Sequence, residues 1–143
     1  MAQVDTVIQG GQVVRRDRTR VEDIAVQDGK IVAVGDPGTM PGAKEVIDAA
    51  GLHVIPGVID PHVHLQLFKD PFEVNVLTES RSFAAGGVTT VIPMLLNRED
   101  ATKSYREYTP WAINVVEKNS MIDMAFSAVL GTEEQIEDIP FLV

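Results

Sequence analysis

The sequence predicts an α/β chain in two parts: a small β-sheet unit over residues 1–55, then parallel βα units over residues 56–143. Three observations predict it. Short apolar runs broken by Gly, Pro and Asp-Gly fill the first fifty residues, the pattern of strands and tight turns. After Gly57, strand-like and helix-like segments alternate, which is the order of βαβ units. The β-branched run Val88-Thr89-Thr90-Val91-Ile92 has the composition of a parallel-sheet strand buried on both faces.

The elements follow in order. Val4, Thr6 and Ile8 alternate with Asp5, Val7 and Gln9, and Gly10-Gly11 is expected to turn the chain into Gln12 to Arg15. Val21 to Val26 and Lys30 to Val34 flank Gln27-Asp28-Gly29, and Asp-Gly between alternating runs is a strong hairpin signal. Gly35 to Gly42, with Pro37 and Pro41, is loop; Glu45 to Ala49 and Leu52 to Ile55 are further short strands. A small antiparallel sheet or half-sandwich is expected.

Beyond Pro56-Gly57, Val58 to His64 is a strand. Glu73 to Ala85 is helical, with Val74, Leu77, Phe83 and Ala84 near one face and Gly86-Gly87 as its left-handed stop. Ala101 to Lys118 is a second helix in which Tyr105, Tyr108 and Trp111 form a packing stripe, with a kink or restart at Thr109-Pro110. Met121 to Leu130 is a third strand. Thr132-Glu133-Glu134-Gln135 opens a third helix as a capping box, with Glu133, Glu134, Glu137 and Asp138 forming a solvated face. Three βα units alone leave a long apolar strand edge unpaired. The sequence also ends on the apolar Phe141-Leu142-Val143, so the expectation is the front part of a larger fold.

Composition excludes several classes. A formal net charge of -9 disfavours nucleic acid and anionic membrane surfaces as partners. With Cys 0, disulfides and thiolate metal sites are both absent. Met1 is not followed by a basic segment and apolar core, and no apolar run approaches the ~20 residues of a membrane helix. The expectation is a soluble, cytoplasmic protein.

The chemistry is concentrated in Asp60-Pro61-His62-Val63-His64. Residues two apart on a strand share a face, so His62 and His64 can turn toward one metal ion. Asp60, one inward position below, either orients an imidazole or serves a structural role. His53 has no ligand partner in the motif and is expected on the surface.

Taken with Ala84-Ala85-Gly86-Gly87-Val88-Thr89-Thr90-Val91-Ile92, that segment resembles the amidohydrolase superfamily. Within it, the chain is most similar to the cyclic-amide branch of hydantoinases, dihydropyrimidinases, allantoinases and dihydroorotases. The resemblance runs over essentially the whole chain. It implies a (β/α)₈ TIM-type barrel with a small β-sandwich. A barrel takes at least ~200 residues, so this chain would hold the first three βα units and the N-terminal part of the sandwich, incomplete alone.

The resemblance further implies divalent metal, two Zn per complete site, bridged by a carboxylated lysine outside this chain. His62 and His64 would be metal ligands, and the catalytic aspartate and remaining ligands would also lie elsewhere. The chain alone would be inactive. Its partner would be the remainder of the same barrel, as a downstream segment or a companion chain, in an enzyme expected to form a homo-oligomer.

The implied reaction is metal-dependent hydrolysis of a cyclic amide C–N bond in a small cyclic amide or ureide. Gln66 stands where dihydroorotases usually carry a carboxylate-gripping arginine, which disfavours that activity. The apolar Leu65-Gln66-Leu67-Phe68 leans toward hydantoinase or dihydropyrimidinase, whereas Met94-Leu95-Leu96-Asn97 resembles a stretch of allantoinases. Gln66, Phe68 and Asn97 are candidate substrate contacts, and Phe72 either lines the pocket or packs its loop. A reading of a different class is a non-catalytic dihydropyrimidinase-like assembly protein. Such relatives tend to lose metal ligands, so the intact His62/His64 pair favours the enzyme.

Overall fold

The structure is a computed structural model that describes residues 3–65, 71–95 and 104–142. Its chain divides into two compact units, Met1–Pro56 and Gly57–Val143. The first contains β1 (Val4–Val14), β2 (Thr19–Gln27), β3 (Lys30–Gly35), β4 (Ala43–Asp48) and β5 (His53–Val54). These form a five-stranded sheet in the order β3-β2-β1-β4, with β5 also paired to β1.

The β2–β3 hairpin turns on Asp28 (φ 50) and Gly29 (φ 71), the two positive-φ positions that a type I′ turn requires. Gly10-Gly11, by contrast, does not turn the chain. β1 runs through it, and the pairing with β2 shifts register between Ile8 and Gly11. Gly10 takes φ +69 there, so the double glycine makes a bulge rather than a corner. Asp23, 1% exposed, holds that bulge: one carboxylate oxygen accepts from the Gly10 amide at 2.7 Å, the other from the Gly38 amide at 2.7 Å.

The sheet is mixed, not antiparallel. β4 and β5 both run parallel to β1, because residues 36–42 carry the chain past β2 instead of folding it back beside β3. Val7, Val13, Ile24, Ala25 and Ala49 are buried, while Ile31, Val32, Val46 and Ile47 on the outer strands remain exposed.

The second unit contains β6 (Val58–Val63), α1 (Phe72–Ala85), β7 (Val88–Leu95), α2 (Tyr105–Asn119), β8 (Asp123–Met124), β9 (Ser127–Ala128), α3 (Glu133–Glu137) and α4 (Ile139–Leu142). All its strand pairs are parallel, in the order β6-β7-β8 with β9 also on β7. The third strand, expected to be continuous from Met121 to Leu130, is thus two short pieces. Strand β7 is buried on one face only. Val91, Pro93 and Leu95 are enclosed, whereas Thr90, Ile92 and Met94 are half-buried.

The enclosed face meets the helices. Leu65, Phe72, Val76, Leu95, Tyr105, Ala112 and Val115 form one buried cluster, with Val63, Phe83 and Tyr108 packed against it. Burial of each large apolar side chain there contributes roughly 1.5–3 kcal/mol. The buried stripe of α1 is Phe72, Val76 and Ser80, i to i+4, rather than the expected Val74, Leu77 and Ala84. Polar residues are what hid it: Ser80 is fully buried and its hydroxyl accepts from the Met121 amide.

Helix α2 begins on Ser104, whose hydroxyl accepts from the Arg106 amide, and runs unbroken through Pro110. Thr109 therefore caps nothing. Helix α1 ends as expected, with Gly87 at φ 82. Thr132 caps α3 by accepting from the Gln135 amide at 3.2 Å. Phe72 packs: it is buried and its ring lies 5.4 Å from that of Trp111. Among the described residues no helix is long and apolar enough to cross a membrane.

Candidate metal and substrate site

The pairing of β6 with β7 shifts register between Val58 and Ile59 and between Asp60 and Val63, so alternation sorts only its C-terminal end into two sets. Val63 and, just beyond the strand, Leu65 turn into the helix-packed cluster. His62 and His64, on either side of Val63, therefore belong to the opposite face of the sheet, whereas Asp60 lies beyond a register shift and pairs with the buried Val91. The pair keeps its two imidazoles adjacent: ring centroids are 5.1 Å apart at an interplanar angle of 71°, and both residues are exposed.

Asp60 acts on the backbone. Its carboxylate accepts from the His62 amide at 3.1 Å, across Pro61, which has no amide hydrogen of its own. That bond and the fixed proline φ hold the segment that presents both histidines. A Cβ at Gly57 would overlap the Thr89 side chain, so glycine there lets the start of β6 lie close against β7.

Parallel pairing brings the C-terminal strand ends to one edge. Val63 pairs with Pro93, and Met94 and Leu95 pair with Ser127 and Ala128. Met94 and Ser127 thus continue the histidine face onto the neighbouring strands. The place of Ser127 on this face was not legible, because its strand is two residues long and shows no periodicity.

The same edge is tied together from behind by Tyr105, 1% exposed. Its hydroxyl lies 2.9 Å from the Leu95 carbonyl and 2.7 Å from the Val129 carbonyl, and accepts from the Val129 amide at 3.1 Å. Burial pushes the pKa of this phenol up, which keeps the donor protonated. Asp138, expected on a solvated helix face, is instead 4% exposed. It accepts from the Ser104 hydroxyl at 2.7 Å and the Tyr105 amide at 2.6 Å, and pairs with the Arg106 guanidinium at 2.9 Å. The free amides at a helix N-terminus attract a carboxylate, which accounts for the burial. The Ser104 hydroxyl, foremost, holds the Asp138 carboxyl below the ordinary carboxylate range.

As a metal site the arrangement is partial. No group of three or more His, Cys, Asp or Glu residues that could hold an ion occurs among the described residues. The two imidazoles on one strand face fit a divalent ion by donor chemistry and spacing, and supply two of the four or more ligands it needs. Gln66, Phe68 and Asn97 lie outside the described residues. An apolar recess of about 510 Å³ lined by Ile113, Val116, Met124, Phe126 and Leu142 involves neither histidine.

Comparison with known proteins gives a consistent set of relatives, although no protein-family model matches the chain. An allantoinase of Desulfitobacterium hafniense (strain Y51) is 41% identical over 130 residues, covering 88% of this chain and 28% of the relative. Among solved structures, the L-hydantoinase (dihydropyrimidinase) of Arthrobacter aurescens matches with a TM-score of 0.70 at 29% identity, over 87% of this chain and 27% of that one. The D-hydantoinase (dihydropyrimidinase) of Thermus sp. matches with a TM-score of 0.73 at 32% identity, over 94% and 30%. The chain spans under a third of the length of each.

Proposed function

Because the chain is related over most of its length to the N-terminal portion of cyclic-amide amidohydrolases, we propose that it forms one part of a metal-dependent hydrolase of cyclic amide C–N bonds, of the hydantoinase and dihydropyrimidinase kind. In this reading residues 1–55 belong to the small β-sandwich. Residues 56–143 supply the first three βα units of a (β/α)₈ barrel, and the remaining polypeptide completes it. The single observation that carries the reading is the adjacent His62/His64 pair at the C-terminal edge of a parallel sheet, the edge where barrel enzymes place their active sites.

His62 and His64 would each give one neutral ring nitrogen to a divalent ion, with zinc the expected metal. When bound, the ion supplies Lewis acidity toward the ring carbonyl and activates water. Asp60 fixes the backbone that aims the two rings. Met94 lies on the strand beside them, and Ser127 pairs with Met94 one strand further on. Gln66, Phe68 and Asn97 are proposed to contact the substrate ring. The remaining ligands, a bridging carboxylated lysine and the proton-shuttling aspartate come from outside this chain.

A second reading, an allantoinase-like ureide hydrolase, is favoured by the 41% identity to the Desulfitobacterium enzyme. One assay separates them: the complete enzyme, this chain with the polypeptide that finishes the barrel, is offered hydantoin, dihydrouracil and allantoin. Preferential opening of either of the first two supports the first reading, and preference for allantoin the second. His62→Ala in that enzyme is expected to reduce activity at least ~100-fold and to lower bound metal measured by elemental analysis. Full activity in His62→Ala would sink both.

A further inference from the structure

His64, Met94 and Ser127 stand in one row across the sheet of the second unit. Val63 pairs with Pro93, which sets His64 level with Met94, and Met94 pairs with Ser127. Each of the three is flanked by residues that face the helices: Val63 and Leu65 around His64, Pro93 and Leu95 around Met94, Phe126 and Ala128 around Ser127. Side chains of extended chain alternate, so all three turn to the opposite face. Neighbouring strands lie about 4.8 Å apart, which puts Ser127 about 10 Å from the histidine strand, with the Met94 side chain between them. Ser127 is half-buried, and its hydroxyl makes no hydrogen bond among the described residues. The hydroxyls of Ser80, Ser104 and Ser120 in the same unit all hold partners. Ser127 thus offers one donor and two acceptor positions to whatever occupies the face.

We propose that Ser127 determines specificity: its hydroxyl bonds a polar substituent on the substrate ring, carried by the carbon next to the attacked carbonyl. The proposal rests on the hydrolase reading. A flat five- or six-membered ring covers about one strand spacing, about 4.8 Å. With its attacked carbonyl at the histidines, such a ring lies over Met94, whose thioether gives it an apolar, adaptable floor. A group projecting from the ring then reaches the third strand, where Ser127 stands. An unsubstituted ring ends short of it. The substrate class selected is therefore a cyclic amide bearing a hydrogen-bonding side group, of which a ureido group and a hydroxymethyl group are examples. A site built to bond such a group rejects the apolar analogue, because its own hydroxyl is then shut away from water without a partner.

The test is Ser127→Ala in the complete enzyme, assayed with three hydantoins that differ only at the carbon beside the attacked carbonyl. The substituents are ureido (allantoin itself), hydroxymethyl, and ethyl, which matches hydroxymethyl in size. The wild type should favour the polar rings over the ethyl ring about tenfold in kcat/KM. Ser127→Ala should bring that ratio to about one, by slowing the polar rings and leaving the ethyl ring within about twofold. Bound metal, measured by elemental analysis, should stay unchanged. The ratio is taken within one preparation, so a smaller folded fraction in the variant cancels. A ratio near one in the wild type, or one that Ser127→Ala leaves as it was, would overturn the proposal. A fall in bound metal would place Ser127 with the ion instead, and would overturn it too. Absence of any cyclic-amide hydrolysis in the wild type would remove the hydrolase reading itself, an outcome distinct from these.

Discussion

Asp138 shows how one carboxylate can serve as structure where sequence reads it as solvated surface. Its neighbours Glu133, Glu134 and Glu137 are exposed, whereas Asp138 is enclosed between the start of α2 and the end of α3. Nothing local distinguishes it, since its partners Ser104, Tyr105 and Arg106 lie more than thirty residues earlier. Its folded-state pKa is held below its ordinary value near 3.8, first by the Ser104 hydroxyl. The stabilisation is therefore present above the unfolded pKa and is lost as pH falls through the lower folded value. Comparing urea midpoints of wild type and Asp138→Asn from pH 7 downward should show a gap that is widest near neutrality and closes below the ordinary carboxylate range. A gap that widens on acidification would contradict this assignment. The histidine pair was the opposite case. A two-residue spacing on a strand is a local signal, and alternation alone placed both rings on one face.

At the level of elements, legibility followed whether the deciding interaction was near in sequence. Asp28-Gly29, Gly87 and Thr132 each act within a few residues, and each did what its residue type requires. The double glycine at 10–11 did not, because a distant carboxylate, Asp23, converts it into a bulge. Likewise the parallel placement of β4 and β5 depends on a crossover that no strand pattern records. Pro110 is instructive for α2. It is exposed, inside the helix, and offers no amide to the Arg106 carbonyl one turn back, yet packing of Tyr105, Ala112 and Val115 carries the helix through. Pro110→Ala restores one helical hydrogen bond and removes the ring clash, partly offset by a more flexible unfolded chain. The expected outcome is stabilisation by about 1–2 kcal/mol in urea unfolding; a loss of stability would show that the proline helps set the course of the helix.

Across the whole molecule, much apolar surface is open: Ile31, Val32 and Val46 in the first unit, and Ile59, Val58 and Ile136 in the second, are all exposed. Exposed apolar surface on this scale marks sites of association. The chain on its own is expected to bind a hydrophobic dye such as ANS and to self-associate, and co-expression with the polypeptide proposed to complete the barrel should suppress both. Weak dye binding by a monodisperse chain would count against that completion. The parallel seating of β4 on β1 also has a kinetic side. Hairpins β1–β2 and β2–β3 close over residues 15–18 and 28–29, whereas Thr6 must wait for Glu45 to return across the intervening sheet. Loop closure over that span carries a larger entropic penalty before any contact rewards it, so the β4 edge forms late. Val46→Ala is therefore expected to speed unfolding while leaving the refolding rate of the first unit nearly unchanged in stopped-flow measurements. The strand that completes the sheet would then act as its kinetic lock, setting how long the unit stays folded rather than how fast it gets there.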